Sequence, residues 1–388
     1  MQFVPIFFFL GVAVYAQKID KSDSVTDLIT SAGYPAELHN VVTDDGYILS
    51  MHRIPNPGKK PIVLMHGLLA TSAAFVTIGP KKSLGFMLYN DGYDVWMPNA
   101  RGTTLSRAHQ KLDPDRNPKF WNFSWHEIGI LDLPASIDYV LNATENVSLR
   151  FIGHSQGTTV FFVLLAEKPE YNKKIITAHL MAPAAYVWNV RSPLIRTLEI
   201  FNTPLQRNAV EVGVQEFYPG GARISSLWKR SCQNINQPLY RMFCTRVIYL
   251  LGGANAKQFN FEYIRVIQKS FPGGSSAKQF DHFIQLVSSR RFSKFNYGPQ
   301  KNLQIYKTPE APEYDFRNIT AKIFIYYGDN DYLITPKDVH QTASKIKNLQ
   351  GMYRVQDRDF SHMDFLWAND CDKLLYTKVM KDLELGKN

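Results

Sequence analysis

The sequence predicts an α/β fold, a mostly parallel sheet covered by helices on both faces and carrying an inserted helical cap. Three observations support this. Short apolar runs of strand length alternate with helix-period segments along most of the chain. The alternation stops between 184 and 308. The segment SLRFIGHSQGTTVFFVLLAEK, 148–168, reads as strand, tight turn and helix in immediate succession. A chain of 388 residues can bury a large core, as two domains or as one domain with an insertion.

Residues 1–16, MQFVPIFFFLGVAVYA, form an apolar run too short to span a bilayer comfortably and end in Val14-Tyr15-Ala16. This reads as a signal peptide cleaved after Ala16, although its start lacks Lys and Arg. No later segment has 18 consecutive apolar residues, so no transmembrane segment is expected, and the mature chain belongs outside the cell or in a lumen such as the lysosome's. The first part of the core, 17–183, opens with strand-like pieces at 38–42, 47–51, 61–65 and 93–97. A helical stretch follows at 125–142, with a break expected at Pro134 because proline lacks the amide donor a helix interior needs. Strand 149–152, helix 156–168 and strand 175–181 complete this part. The second part, 309–388, predicts strand 321–327, a short strand near 353–355 and a terminal helix within 364–381.

The intervening 184–308 is the expected cap. Helical pieces such as 239–251 and 277–288 are set apart by the doublets Gly220-Gly221, Gly252-Gly253 and Gly273-Gly274. It holds 17 Lys and Arg against 5 Asp and Glu, whereas the rest of the chain holds 27 against 29, so the basic excess belongs to the cap alone. Such a face suits anionic lipid surfaces or acidic products. Nucleic-acid binding is set aside, because a secretory signal is present and no recognition module accompanies the charge.

Three cysteines are too few for a disulfide scaffold; Cys232 and Cys244 can close a short loop, and Cys371 is left over as a buried thiol. Ten histidines form no metal-ligand spacing, so no metal and no cofactor is expected. The sequons at Asn122, Asn142, Asn146 and Asn318 are candidate glycan acceptors in a secretory compartment.

The chemistry centres on Ser155, which lies between Gly153 and Gly157 where a strand turns into a helix. This is a nucleophile-elbow pattern, G-x-S-x-G, whose glycines allow close backbone approach while the hydroxyl points off the end of a sheet. A nucleophilic serine also needs a base, an acid to orient it, and donors for the oxyanion. Gly328-Asp329-Asn330-Asp331 follows a strand, and sequence context alone leaves Asp329 and Asp331 both open as the acid. Of the two histidines beyond that loop, His340 falls in a helical stretch and His362 in a loop after a strand, which favours His362 as base. The backbone N–H of Gln156, after the serine, and of Leu68, in His66-Gly67-Leu68-Leu69, are the candidate oxyanion donors. His66 and His154 read as polar supports for these loops.

Several stretches together resemble the animal acid lipase family, which includes gastric and lysosomal acid lipases and many secreted arthropod lipases. They are GYPAELHNVVTDDGYILSMHRIP at 33–55, HGLL at 66–69, GYDVWMPNARGTTLSRAH at 92–109, GHSQG at 153–157, GDNDYLITPKDV at 328–339 and SHMDFLWAND at 361–370. The resemblance implies an α/β-hydrolase core beneath a helical cap. It places the nucleophile at Ser155, the acid at Asp331 rather than Asp329, the base at His362, and the oxyanion donors at Leu68 and Gln156. It also implies pairing of Cys232 with Cys244. Where relatives resembling gastric lipase have a third cysteine shortly after that pair, this chain has Leu251. The implied activity is hydrolysis of carboxylic esters of long-chain fatty acids, a triacylglycerol or related neutral lipid met by transient contact with a lipid–water interface. Cholesteryl or smaller esters are the alternative substrates, and a catalytically silent lipid-binding glycoprotein is the alternative role.

Overall fold

The computed structural model describes residues 25–200, 215–217, 232, 234 and 236–385. The expected signal peptide and most of 201–235 in the expected cap lie outside the described residues.

Nine strands form the main sheet: β1 (Glu37–Val42), β2 (Tyr47–Ile54), β3 (Lys60–Met65), β4 (Tyr93–Pro98), β5 (Ala108–His109), β6 (Leu149–His154), β7 (Ile175–Met181), and, after the cap, β10 (Ile323–Tyr327) and β11 (Leu349–Arg354). Their order is β1-β2-β4-β3-β6-β7-β10-β11, with β5 paired to β2. The pairs β1/β2, β2/β4 and β2/β5 are antiparallel and all others are parallel, so the sheet is mostly parallel. The central strands are buried along their whole length and apolar apart from Asp94, Arg150 and His154, as crossover helices on both sides require. Among the described residues two further strands, β8 (Glu216–Phe217) and β9 (Ser275–Ser276), pair antiparallel within the cap.

The sequence places most of these strands within one or two residues, but two helical regions differ from expectation. The stretch expected as one helix broken at Pro134 is helical at Trp125–Glu127, widens into a π turn at Ile128–Asp132, and continues as an α-helix at Leu133–Ala143. The irregularity therefore precedes the proline, which sits in the first turn of the new helix where its missing N–H costs nothing. A Cβ on Gly129 would lie 2.7 Å from Val163, so this turn meets the helix Gln156–Glu167 at backbone distance. That helix has every residue but Glu167 buried, and so shows no amphipathic stripe. The expected terminal helix is instead a short helix Asp364–Trp367, a π turn Asp372–Tyr376 and a helix Thr377–Leu385. Helices Val25–Ser31, Leu84–Asn90, Pro193–Ile200, Phe261–Ser270 and Pro299–Tyr306 complete layers the sequence left undivided.

Cys232 and Cys244 form the expected disulfide. Cys371 is buried, its thiol donating to the Phe365 carbonyl at 3.4 Å, and burial holds its pKa well above the usual thiol range. No helix among the described residues is long and apolar enough to cross a membrane.

Candidate active site

The carboxyl ends of the parallel strands β3, β6, β10 and β11 converge on one edge of the sheet, where open α/β sheets bind their ligands. Each predicted site residue lies in a loop leaving one of these ends.

Ser155 follows β6 directly and adopts φ 52° and ψ −121°, a conformation that non-glycine residues avoid. Its N–H donates to the Met181 carbonyl at 3.0 Å. Its neighbours must be glycine for lack of space. A Cβ on Gly157 would stand 2.2 Å from the Met65 carbonyl oxygen, and one on Gly153 would stand 3.0 Å from the Gly157 backbone. Because Met65 of β3 pairs in register with Gly153 of β6, the loop after β3 lies beside the elbow. A Cβ on Gly67 would lie 3.0 Å from the Ser155 Cβ.

The Ser155 Oγ lies 2.9 Å from His362 Nε2, and His362 Nδ1 lies 2.7 Å from Asp331 Oδ2. Asp331 and His362 are almost wholly buried, while Ser155 is half-buried and faces a cavity. The other Asp331 oxygen, Oδ1, accepts the N–H groups of Leu333 and Ile334 at 2.9 and 2.8 Å, which fixes the carboxylate plane. The alternative acid, Asp329, turns away and pairs with Arg354. His340 sits exposed on the helix Pro336–Ala343, its ring against Tyr327 and not at the site.

The Leu68 and Gln156 N–H groups have no protein acceptor among the described residues, which leaves both free for a ligand beside Ser155. His66 supports the first loop: its Nε2 accepts from the Ala100 N–H at 3.1 Å, so its Nδ1–H donates to the Gly67 carbonyl at 2.8 Å. Burial pushes its pKa down to about 4, and that of His154 well below the usual value. The His154 ring stands 4.9 Å from the His362 ring, with Nε2 3.3 Å from the His362 carbonyl.

Contacts with cap residues that the sequence did not mark complete the site. The Gly252 carbonyl accepts the N–H groups of both His362 and Tyr332, at 3.0 and 3.2 Å. Asn255 Nδ2 bridges Asp357 and Asp364, at 3.1 and 3.0 Å. Burial raises the Asp364 pKa to about 7, against the opposing hydrogen bonds from Ser361 and Asn255. The glycine doublets were the available signal, but nothing in sequence shows which distant backbone a glycine must approach.

Above Ser155 opens an apolar cavity, walled by Leu251, Phe271, Phe280, Phe283, Ile284 and Trp367 among others. Leu251, the chain's departure from the third cysteine of the relatives it resembles, is part of this wall. A hydroxyl hydrogen-bonded to a buried imidazole that a carboxylate orients can be deprotonated as it attacks, and the free N–H groups beside it can hold a developing oxyanion.

Comparison with known proteins bears on the family. Residues 25–79 match the partial α/β-hydrolase lipase region and residues 60–369 the α/β hydrolase fold. Lipase 1 of Drosophila melanogaster is 41% identical over 367 residues, 94% of this chain and 81% of that protein. The gastric triacylglycerol lipase of Bos taurus is 34% identical over 383 residues, 96% of this chain and 94% of that protein. Among solved structures, a thermophilic esterase from Thermogutta terrifontis shares the fold with a TM-score of 0.51 at 13% identity, over 91% of this chain and all of that one. A likeness of that kind concerns architecture alone, whereas the sequence relatives span nearly the whole chain. The chain therefore belongs to the acid lipases of the α/β-hydrolase family, and it is a lipase-type serine hydrolase.

Proposed function

We propose that the protein hydrolyses carboxylic esters of long-chain fatty acids, a triacylglycerol or related neutral lipid, with Ser155 as nucleophile, His362 as base and Asp331 as the orienting acid. The unbroken series Asp331–His362–Ser155 is the observation that carries this reading. His362 Nε2 takes the hydroxyl proton as Ser155 Oγ bonds to the ester carbonyl carbon, while Asp331 stabilises the imidazolium. The Leu68 and Gln156 N–H groups hold the oxyanion. Collapse breaks the bond to the alcohol oxygen, which leaves with the proton from His362. Water, deprotonated by the same histidine, then attacks the acyl-enzyme and releases the fatty acid.

The apolar cavity directly above Ser155 supports a long acyl chain, and two of the relatives named above are themselves named lipases. We place the protein in a secretory compartment, secreted or in the lysosomal lumen. Asn122 and Asn142 are the sequons whose side chains are exposed; the amides of Asn146 and Asn318 donate to the Thr144 and Ala166 carbonyls.

Turnover of triolein, a cholesteryl ester and short p-nitrophenyl esters by wild type and S155A, across pH 4 to 9, tests the proposal. The expected result is hydrolysis of triolein that S155A abolishes. Activity confined to the shortest p-nitrophenyl ester would remove the long-chain assignment, and wild-type turnover by S155A would remove the nucleophile.

A further inference from the structure

Two glycine doublets of the cap dock on opposite halves of the site. At the first, the Gly252 carbonyl at the end of helix Pro238–Gly252 receives the N–H groups of His362 and of Tyr332, the residue after Asp331. Gly253 has φ 103°, and a Cβ there would stand 2.1 Å from the Asn330 carbonyl oxygen. Asn330 Nδ2 donates back to the Ala254 carbonyl at 2.7 Å. At the second, the Gly273 N–H donates to the Leu69 carbonyl at 2.6 Å, one residue from the candidate oxyanion donor Leu68. The Gly273 carbonyl accepts from the Thr104 N–H at 2.7 Å, and a Cβ on Gly273 would stand 2.5 Å from Thr71 Cγ2. Helix Phe261–Ser270 joins the two docking points.

We propose that the segment 252–274 is a fixed brace, with Gly252, Gly253 and Gly273 as positioning residues that set the acid and base against the oxyanion loop. This stretch then stays docked through turnover. The acid and base loops leave β10 and β11, the oxyanion loop leaves β3, and one continuous stretch hydrogen-bonds to both sets. A displacement of about 1 Å between such groups can cost about 10²-fold in rate.

The inference rests on the triad reading, and its test separates the two. Gly273→Ala drives a methyl into Thr71 Cγ2, and Thr71→Ser removes that obstacle, leaving the Ser270 and Ala70 carbonyls at 3.1 and 3.3 Å. On p-nitrophenyl butyrate, small enough to need no cap opening, G273A should lower kcat by about tenfold to 10²-fold. KM and the acid limb of the pH–rate profile should stay unchanged, and G273A/T71S should recover most of the loss. G253A should lower kcat and also move the acid limb, because it displaces the loop that carries Asp331. In wild type, hydrogen–deuterium exchange at the amides of Gly273, Tyr332 and His362 should be as slow as in β3 and β6. Wild-type kcat in G273A, a loss that T71S fails to restore, or rapid exchange at those amides would each overturn the brace. S155A measured alongside reads the triad by itself; full turnover there ends the acyl-transfer reading, while exchange still reports on the docking.

Discussion

Ser155 holds its strained backbone because the chain is clamped on both sides, by its N–H to the Met181 carbonyl and by Gly157 against the Met65 carbonyl. The two neighbouring aspartates show how small a difference separates function from scaffold. D331N should lower kcat by about 10⁴-fold, since it removes the charge that stabilises the imidazolium. D329N, whose carboxylate faces Arg354, should keep turnover within about twofold. Steady-state kinetics on one soluble ester checks both. The local sequence left these residues open because both lie in the same turn after the same strand. What fixes Asp331 is turn geometry, the pair of N–H groups from Leu333 and Ile334; before that, only the family resemblance chose between the two aspartates. Asp364 supplies a pH dependence. Its buried carboxyl titrates at about 7 in the folded protein, above the usual value of 3.8. The stability held by its protonated form is thus fully present below about pH 4 and is lost as pH rises through about 7, by an amount on the order of 4 kcal/mol at most. D364N should flatten the dependence of Tm on pH across that window and raise Tm at pH 8, as measured by calorimetry.

Elements were legible where their chemistry is local. The central strands follow from continuous β-branched and aromatic runs such as IFIYY at 323–327. The helix after Ser155 follows from its position behind the elbow. The π turn Ile128–Asp132 was not legible, because its cause is tertiary: Gly129 lets the turn meet helix Gln156–Glu167, and Asp132 is aimed at Arg101, binding its N–H and Nε at 2.9 and 2.7 Å. G129A should destabilise the fold by about 1 to 3 kcal/mol through overpacking against Val163, and V163A should return part of it; urea denaturation measures both. Helices Pro193–Ile200 and Phe261–Ser270 escaped for a related reason. They are short, and their surroundings come from residues far away in the chain, as with Gly252 and His362.

The molecule as a whole joins a sheet core of balanced charge to a cap that carries the basic excess. Helix Pro238–Gly252 shows Leu239, Met242 and Phe243 to solvent beside Arg241 and Arg246, while Leu251 on the same helix lines the cavity. Apolar and cationic groups on one exposed face should make the protein co-sediment more strongly with vesicles containing anionic lipid than with zwitterionic ones. Raising salt from about 0.05 to 0.5 M should erase that preference, because it shortens the screening length severalfold. At the far end of the chain Cys371 lies buried, its thiol and the Tyr376 hydroxyl both donating to the Phe365 carbonyl. With Cys232 and Cys244 already paired, the native chain offers no thiolate to a reagent or to the disulfide, so oxidative pairing has a single stable outcome. The same thiol makes each molecule its own clock: an alkylating agent can add one label only after the carboxyl-terminal layer has opened, and where alkylation outpaces reclosing the labelling rate reads the rate of that opening.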